Sequence, residues 1–311
     1  MAATTWLVLS STCSVLALAM IARSVERSEG GARLEDEPAT DVATSAIPIA
    51  LGPGQLRILT WNIAHGRGTA FHQALVPPAT IRANLAAIAT VIQRERADVV
   101  ALQEVDGPSV WSGRLDQAQL LAHAADLAHA LRGAHGRSVG PIALDYGTAL
   151  LSRRPLGDPS SMRFASSWRD NKGFVVAGIE LPGSNGAVVD VVSLHLDFLT
   201  PAVRQRQVQR LIAELRGRGR PLIVVGDFNC GLRERGTLAA LVDGLALQPY
   251  SGRGQPTFPT ANPRRRIDWI LVSPELEIVG YRTLTDALSD HRAVVADIAI
   301  KGFVDIQRRE P

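Results

Sequence analysis

The sequence predicts an α+β fold in which mixed β-sheets are covered by outer helices. From residue 56 onward, short apolar and β-branched runs alternate with segments of helical period. The runs 173–181 and 187–195 are joined only by Pro182-Gly183-Ser184-Asn185-Gly186, a turn-rich link that calls for antiparallel pairing. The stretch 56–103 instead reads strand–helix–strand, the crossover that a parallel pair needs. Sheets containing both kinds of pairing, with helices packed on them, follow from these three observations.

Taken in order, strands are expected at 56–61, 98–103, 147–152, 173–181, 187–195, 222–226, 267–272 and 293–300. Ile81, Leu85, Ile88 and Ile92 fall on one stripe of a helix near 79–96. Val203, Val208, Leu211, Ile212 and Leu215 do the same for a helix near 201–217. Thr200 is a natural N-cap for it, and Pro201 suits its first position. A third helix is expected over 116–132.

Composition bounds the classes available. Hydrophobic residues make up 46% and charged residues 20%, which excludes a wholly disordered chain. Two cysteines, Cys13 and Cys230, exclude a disulfide scaffold and a multi-cysteine zinc site. Residues 1–55 hold three of the 33 basic and six of the 30 acidic residues, so the remainder carries a formal +6. That balance permits an anionic substrate but not a surface that coats nucleic acid.

The N-terminus reads separately. Residues 6–22 are uncharged and mostly apolar, between the lengths of a signal-peptide core and a membrane span. Ala17-Leu18-Ala19 resembles a cleavage site, yet no Lys or Arg precedes the run. A cleaved signal, a retained anchor and a mis-assigned start all stay open. The expected organisation is a signal or anchor at 1–22, a tether at 23–55, the main folded domain at 56–303 and a tail at 304–311. A periplasmic, extracellular or membrane-anchored location is expected rather than a cytoplasmic one.

The placement of polar residues carries the chemistry. Asn62, Glu104, His195, Asp227 and Asn229 each follow an apolar strand. Asp290 and His291 precede one, and Asp268 lies inside 267–272. A polar group beside a buried strand is costly unless it is paired or faces a cavity. Six strands delivering such groups point to one shared site.

Six motifs occur in this order: Thr60-Trp61-Asn62, Leu102-Gln103-Glu104-Val105, Ser193-Leu194-His195-Leu196, Gly226-Asp227-Phe228-Asn229, Ile267-Asp268-Trp269-Ile270 and Ser289-Asp290-His291. Together they resemble the endonuclease/exonuclease/phosphatase superfamily of metal-dependent phosphoesterases, over about residues 56–300. The superfamily includes deoxyribonuclease I, apurinic endonucleases, neutral sphingomyelinases and inositol polyphosphate 5-phosphatases. The resemblance implies a deoxyribonuclease I-like four-layer α/β/β/α sandwich of two mixed sheets with outer helices. The Ser-x-His-Leu form at 193–196 resembles the phosphatase, sphingomyelinase and deoxyribonuclease branches rather than the abasic-site endonucleases.

A phosphodiester needs charge neutralised at its phosphoryl oxygens, an activated water and help for the leaving oxygen. Glu104 offers a hard oxygen suited to Mg2+, with Mn2+ as a substitute; Asn62 and Asp290 complete the expected metal set. Asp227 is expected to activate the water, with Asn229 donating to phosphate or holding Asp227. His195 and His291 can donate hydrogen bonds to the transition state. The resemblance assigns Asp268 as the partner of His291, fixing its tautomer and raising its pKa. Lys172 is a candidate substrate contact, as is Arg169. His65 can line the cleft, and Arg264-Arg265-Arg266 is either a phosphate grip or a solvated loop. Cys230 reads as packing.

The expected activity is magnesium-dependent hydrolysis of a phosphodiester or phosphomonoester by an activated water. The alternatives are an extracytoplasmic nuclease on DNA or RNA and a catalytically silent, membrane-tethered binding module. Expected partners are a phosphate-ester substrate, nucleic acid under the second reading, and a membrane through residues 6–22. The protein itself is expected to be a monomer.

Overall fold

The computed structural model describes residues 50–302 apart from 110–111, 137–144, 166–170, 232–235 and 253. The apolar run 6–22, Cys13, most of the tether, Arg169 and the tail lie outside the described residues. Among those described, no helix is long and apolar enough to cross a membrane.

The first sheet is built from β1 (Gln55–Asn62), β2 (Val99–Asp106), β3 (His129–Ala134), β4 (Tyr146–Ser152), β11 (Leu276–Thr283) and β12 (Val294–Ile300), in the order β11-β12-β1-β2-β4-β3. The second holds β5 (Gly157–Arg163), β6 (Gly173–Glu180), β7 (Val188–His195), β8 (Leu222–Asp227), β9 (Gln248–Pro249) and β10 (Asp268–Val272), in the order β5-β6-β7-β8-β10-β9. Helices α1 (Pro78–Glu95) and α2 (Gln117–Ala124) serve the first sheet, and α3 (Pro201–Leu215) and α4 (Thr237–Leu245) the second.

Three apolar layers separate these four tiers. Ile58, Val99 and Ala101 meet Val191, Ile223 and Val225 between the sheets. Leu59, Trp61, Val100 and Leu102 point the other way, against Ile81, Leu85, Ile88 and Ile92 of α1. Val208, Leu211 and Ile212 of α3 pack on Val192, Leu194 and Val224 in the same manner. Adjacent residues of one strand thus feed different layers. That is why these strands read as unbroken apolar runs rather than alternating ones. The α/β/β/α sandwich expected from the sequence is the observed fold.

The pairing scheme positions the site. Each sheet has one parallel pair at its centre, β1 with β2 and β7 with β8, joined through α1 and α3 respectively. Parallel strands end on the same edge, so Asn62 pairs opposite Gln103, and His195 opposite Asp227. The antiparallel neighbours β10 and β12 begin where those strands end. Asp268 therefore faces Asp227, and His291 sits just ahead of β12.

Several expectations need correction. The third helix ends at Ala124, not 132. Asp126 adopts a left-handed backbone (φ 56°), and His129–Ala134 then forms edge strand β3 against β4. Strands β5, β9 and β11 and helix α4 were not anticipated. All three strands lack a plain apolar signal: β5 is polar and mostly exposed, β9 is only Gln248–Pro249, and β11 is broken by a bulge near Gly280. Thr200 occupies the N-cap of α3 without a side-chain hydrogen bond. The Asp197 carboxylate accepts from the Leu199 and Thr200 amides, ordering the turn that precedes the helix. Cys230 is buried packing, as expected.

Gly226 allows the second parallel pair to form as it does. Its φ is 140°, and an added Cβ would lie 2.0 Å from the Leu194 carbonyl oxygen. Gly226→Ala combines backbone strain with overpacking, a loss of about 2–4 kcal/mol. The thermal midpoint should fall by roughly 5–12 °C for a domain of this size. A melt within a degree or two of the parent would refute this account of β7–β8.

Candidate active site

Asp227 is 1% exposed and sits where the two sheets meet. A buried carboxylate needs donors, and they arrive from several elements. Asn62 donates Nδ2–H to its Oδ2 (3.0 Å), and the Asn229 amide donates to its Oδ1 (2.9 Å). His195 Nε2 and His291 Nε2 lie 3.4 and 3.8 Å from Oδ2. Burial, countered in part by His291 and reinforced by Asp268, pushes the Asp227 carboxyl up to about 6.

The two histidines are driven in opposite directions. His291 Nδ1 stands 3.0 Å from Asp268 Oδ2, and Thr257 donates its hydroxyl to the same oxygen. Burial opposes charging His291, but the Asp268 and Asp227 carboxylates outweigh it and raise the imidazole to about 10. His195 is also buried, and the Lys172 ammonium lies 2.8 Å from its Nε2. Burial and that ammonium together hold His195 well below the usual histidine range. At neutral pH the site holds one imidazolium and one neutral imidazole.

Glu104 stands on the other side. It is the extra residue of a bulge in β2: register passes from Gln103 opposite Thr148 to Val105 opposite Gly147. Its backbone is left-handed, with φ 53°. Lys172 Nζ approaches Oε1 at 3.6 Å and His65 Nε2 approaches Oε2 at 3.4 Å. Burial works against the charge, yet the nearby positive groups, His65 and Lys172 foremost, hold this carboxyl far below the ordinary range.

The structure thus gathers Asn62, Lys172, His195, Asp227, Asn229, Asp268 and His291 into one cluster, with Glu104 reached through Lys172. Asp290 lies at the rim, where Arg67 forms an ion pair with its Oδ2 at 2.6 Å. The Asn229 side chain donates to the Leu196 carbonyl, so its backbone amide is what holds Asp227. Arg266 is stacked on Trp269 and Tyr281 and donates to the Tyr281 hydroxyl. Arg67, Thr257, Asp106 and the pairing of His65 were not anticipated. Arg67 and Thr257 reach their partners only through tertiary contact. Asp106 could have been noticed as the second carboxylate of β2, two residues beyond Glu104.

Glu104 suits a hard divalent cation. Its oxygens have only these two contacts among the described side chains, both longer than the roughly 2.7–2.9 Å of a good charge-assisted hydrogen bond. Asp227, Asp268 and His291 form a second grouping, with candidate ligand atoms all within 4.8 Å of one another. These atoms already serve the hydrogen bonds with Asn62, Asn229 and Thr257, and an imidazolium nitrogen carries a proton where a metal would bind.

A model of the endonuclease/exonuclease/phosphatase family matches residues 59–291. The chain belongs to that family. Family enzymes cleave phosphate esters, and the chain is a hydrolase of that bond class. Similar solved structures include an endonuclease/exonuclease/phosphatase from Beutenbergia cavernae, with 24% identity and a TM-score of 0.63 over 80% of this chain and 72% of that one. The human Nocturnin catalytic domain with bound sulfate shares 22% identity at a TM-score of 0.61, covering 80% and 96% of the two chains. Sphingomyelinase C from Streptomyces griseocarneus shares 20% at 0.59, covering 78% and 99%. At these identities the likeness concerns fold. No curated protein matches the chain.

The His291–Asp268 pair makes a prediction about protonation. Asp268→Asn removes the anion that favours imidazolium, so the His291 titration should drop from about 10 toward the ordinary value of roughly 6.5. A raised histidine stabilises the fold fully below its unfolded pKa, and that stabilisation fades as pH rises through the folded value. The pair's contribution should therefore be complete below about pH 6.5 and gone above about pH 10, and the variant should flatten that slope. NMR titration of His291 in EDTA, beside melts at several pH values, checks both. An unmoved resonance would break the pairing.

Proposed function

We propose that the chain is a magnesium-dependent phosphoesterase, with manganese as a substitute ion, which hydrolyses phosphodiesters or phosphomonoesters of small or lipid molecules. The observation that carries this reading is the buried Asp227 carboxylate, held by two asparagines and flanked by an imidazole and an imidazolium. Glu104 would hold the cation, with the Asn62 amide oxygen and Asp290 completing its protein shell. When bound, the ion supplies positive charge at the phosphoryl oxygens.

The remaining work falls to the chain's own residues. Asp227 accepts a proton from the attacking water; a carboxylate raised to about 6 is still ionised at neutral pH and basic enough for the task. The Asn229 amide and Asn62 hold its two oxygens in place. His291, kept charged by Asp268, donates to a phosphoryl oxygen as negative charge grows there. Lys172 brings a second positive charge beside neutral His195. Opposite protonation preferences in two neighbouring histidines divide donor from acceptor in one site.

A silent binding module fits poorly. Clustering ionised groups away from water costs free energy that binding alone does not require. The nuclease alternative is decided by substrate, and its affinity would fall steeply with salt. Residues 6–22 would export the domain or tether it to a membrane.

Two experiments test the proposal. Full-length protein is assayed with Mg2+ against bis(p-nitrophenyl) phosphate, sphingomyelin, inositol phosphates and DNA. EDTA and Glu104→Gln should abolish turnover, and Asp227→Asn should lower kcat at least about a hundredfold with KM nearly unchanged. Near-parental turnover of Glu104→Gln in saturating Mg2+ would overturn the metal role, and a rise in KM alone would make Asp227 a binding residue. For location, fractionation of cells expressing the tagged full-length chain should find it in membranes or outside the cytoplasm. A mostly soluble cytoplasmic pool would refute the export reading.

A further inference from the structure

The geometry points to His65 as the residue that positions Glu104, with Asp106 and Gln117 holding His65 for that purpose. This inference rests on the reading of Glu104 as the cation's carboxylate. His65 takes no part in the hydrolytic steps above, yet an elaborate local arrangement maintains it.

His65 is buried on the 3-10 turn Ala64–Gly66 directly after β1. Its backbone is left-handed, at φ 58° and ψ 16°. A non-glycine side chain stays in that region only where its surroundings demand it. Here the surroundings are specific. Nδ1 lies 2.7 Å from Oδ1 of Asp106, whose side chain is fully buried at the end of β2. Gln117, at the first position of α2, ties the two backbones together. Its Oε1 accepts from the Asp106 amide at 3.0 Å, and its Nε2 donates to the His65 carbonyl at 2.8 Å. The Tyr146 ring packs edge-on against the imidazole, with centroids 5.3 Å apart. Placed between two carboxylates, the protonated ring donates Nδ1–H to Asp106 and turns Nε2–H toward Glu104 Oε2, 3.4 Å away.

Glu104 needs such a contact. A bulge residue lies outside the regular ladder, so the pleat of β2 does not dictate where its side chain points. Two groups restrain it. Lys172 stands on a flexible stem and also serves His195. The His65 ring is rigid and fixed from its far side. A carboxylate–histidine–carboxylate arrangement of this kind orients a ligand without touching the cation, and loss of such an outer partner typically weakens metal binding about 10–100-fold.

The test uses the full-length protein and Mn2+ as the probe, with free ion followed by electron paramagnetic resonance at fixed pH. His65→Asn is the informative variant. Asparagine tolerates the left-handed backbone and is too short to reach Glu104, so the contact is lost with little strain. Its Mn2+ affinity should fall about 10–100-fold. Asp106→Asn keeps a neutral acceptor for Nδ1 and should weaken binding measurably, but less than His65→Asn does. The double variant should bind within about twofold of His65→Asn, because Asp106 acts through the histidine. Parental affinity in His65→Asn, while Glu104→Gln loses Mn2+, would overturn this inference alone. Parental affinity in Glu104→Gln would overturn the metal reading and this inference with it. Independent, multiplying losses in the double variant would reduce Asp106 to a structural residue and overturn the relay. Should His65→Asn melt far below the parent, the Asp106→Asn affinity decides, and no change there overturns the proposal.

Discussion

Everything around the site answers to one constraint: a carboxylate, Asp227, is buried where two sheets meet. Water cannot solvate it there, so protein donors must. Asn62 comes from the first sheet, Asn229 from the turn after β8, and the histidines from β7 and the approach to β12. The site is therefore also a joint between the sheets. The layer between them is hydrocarbon along most of its length, then turns polar toward this edge. Gln103 there donates to Thr60 and Ser193, and Ser193 donates back to the Leu102 carbonyl. The neutral bridge and the charged cluster beyond it form a graded passage from core to cleft.

The charges are arranged as two opposed halves. On one side Asp268 and Asp227 surround His291 and keep it charged. On the other, burial and then the adjacent Lys172 keep His195 neutral, while Glu104 stays ionised beside cationic neighbours. Neither histidine owes its state to its own chemistry, since both begin from the same free value. The difference comes from which strand end lies next to each. The two central parallel pairs deliver those strand ends to one edge of the molecule.

Much of this was legible in the sequence. Strands buried on both faces announce themselves as apolar runs, and polar residues at their ends stand out because hydrocarbon precedes them. What stayed hidden depended on contacts between distant segments. Arg67 finds Asp290, 223 positions away, and Asp106 finds His65, 41 positions away. Strand β5 exists through pairing with β6, against its polar composition. Thr200 leaves its hydroxyl out of the capping of α3, and Asp197 instead orders the turn ahead of the helix by accepting from the Leu199 and Thr200 amides. The cluster of charged groups at strand ends could be foreseen, and so could the rise of His291 beside Asp268; the fall of His195 could not, because it depends on its burial and on Lys172 a few ångströms away in space.

The left-handed backbone at Glu104 has a consequence for how this lineage can change. Glycine adopts that conformation without steric cost, so replacing Glu104 by glycine relaxes the backbone while deleting the carboxylate proposed to hold the cation. At this position selection for a sturdier fold and selection for turnover pull in opposite directions. A descendant released from catalysis would have a downhill route toward glycine there. A glycine at this bulge, in an otherwise intact sandwich, would mark a chain that has kept the architecture and abandoned the chemistry.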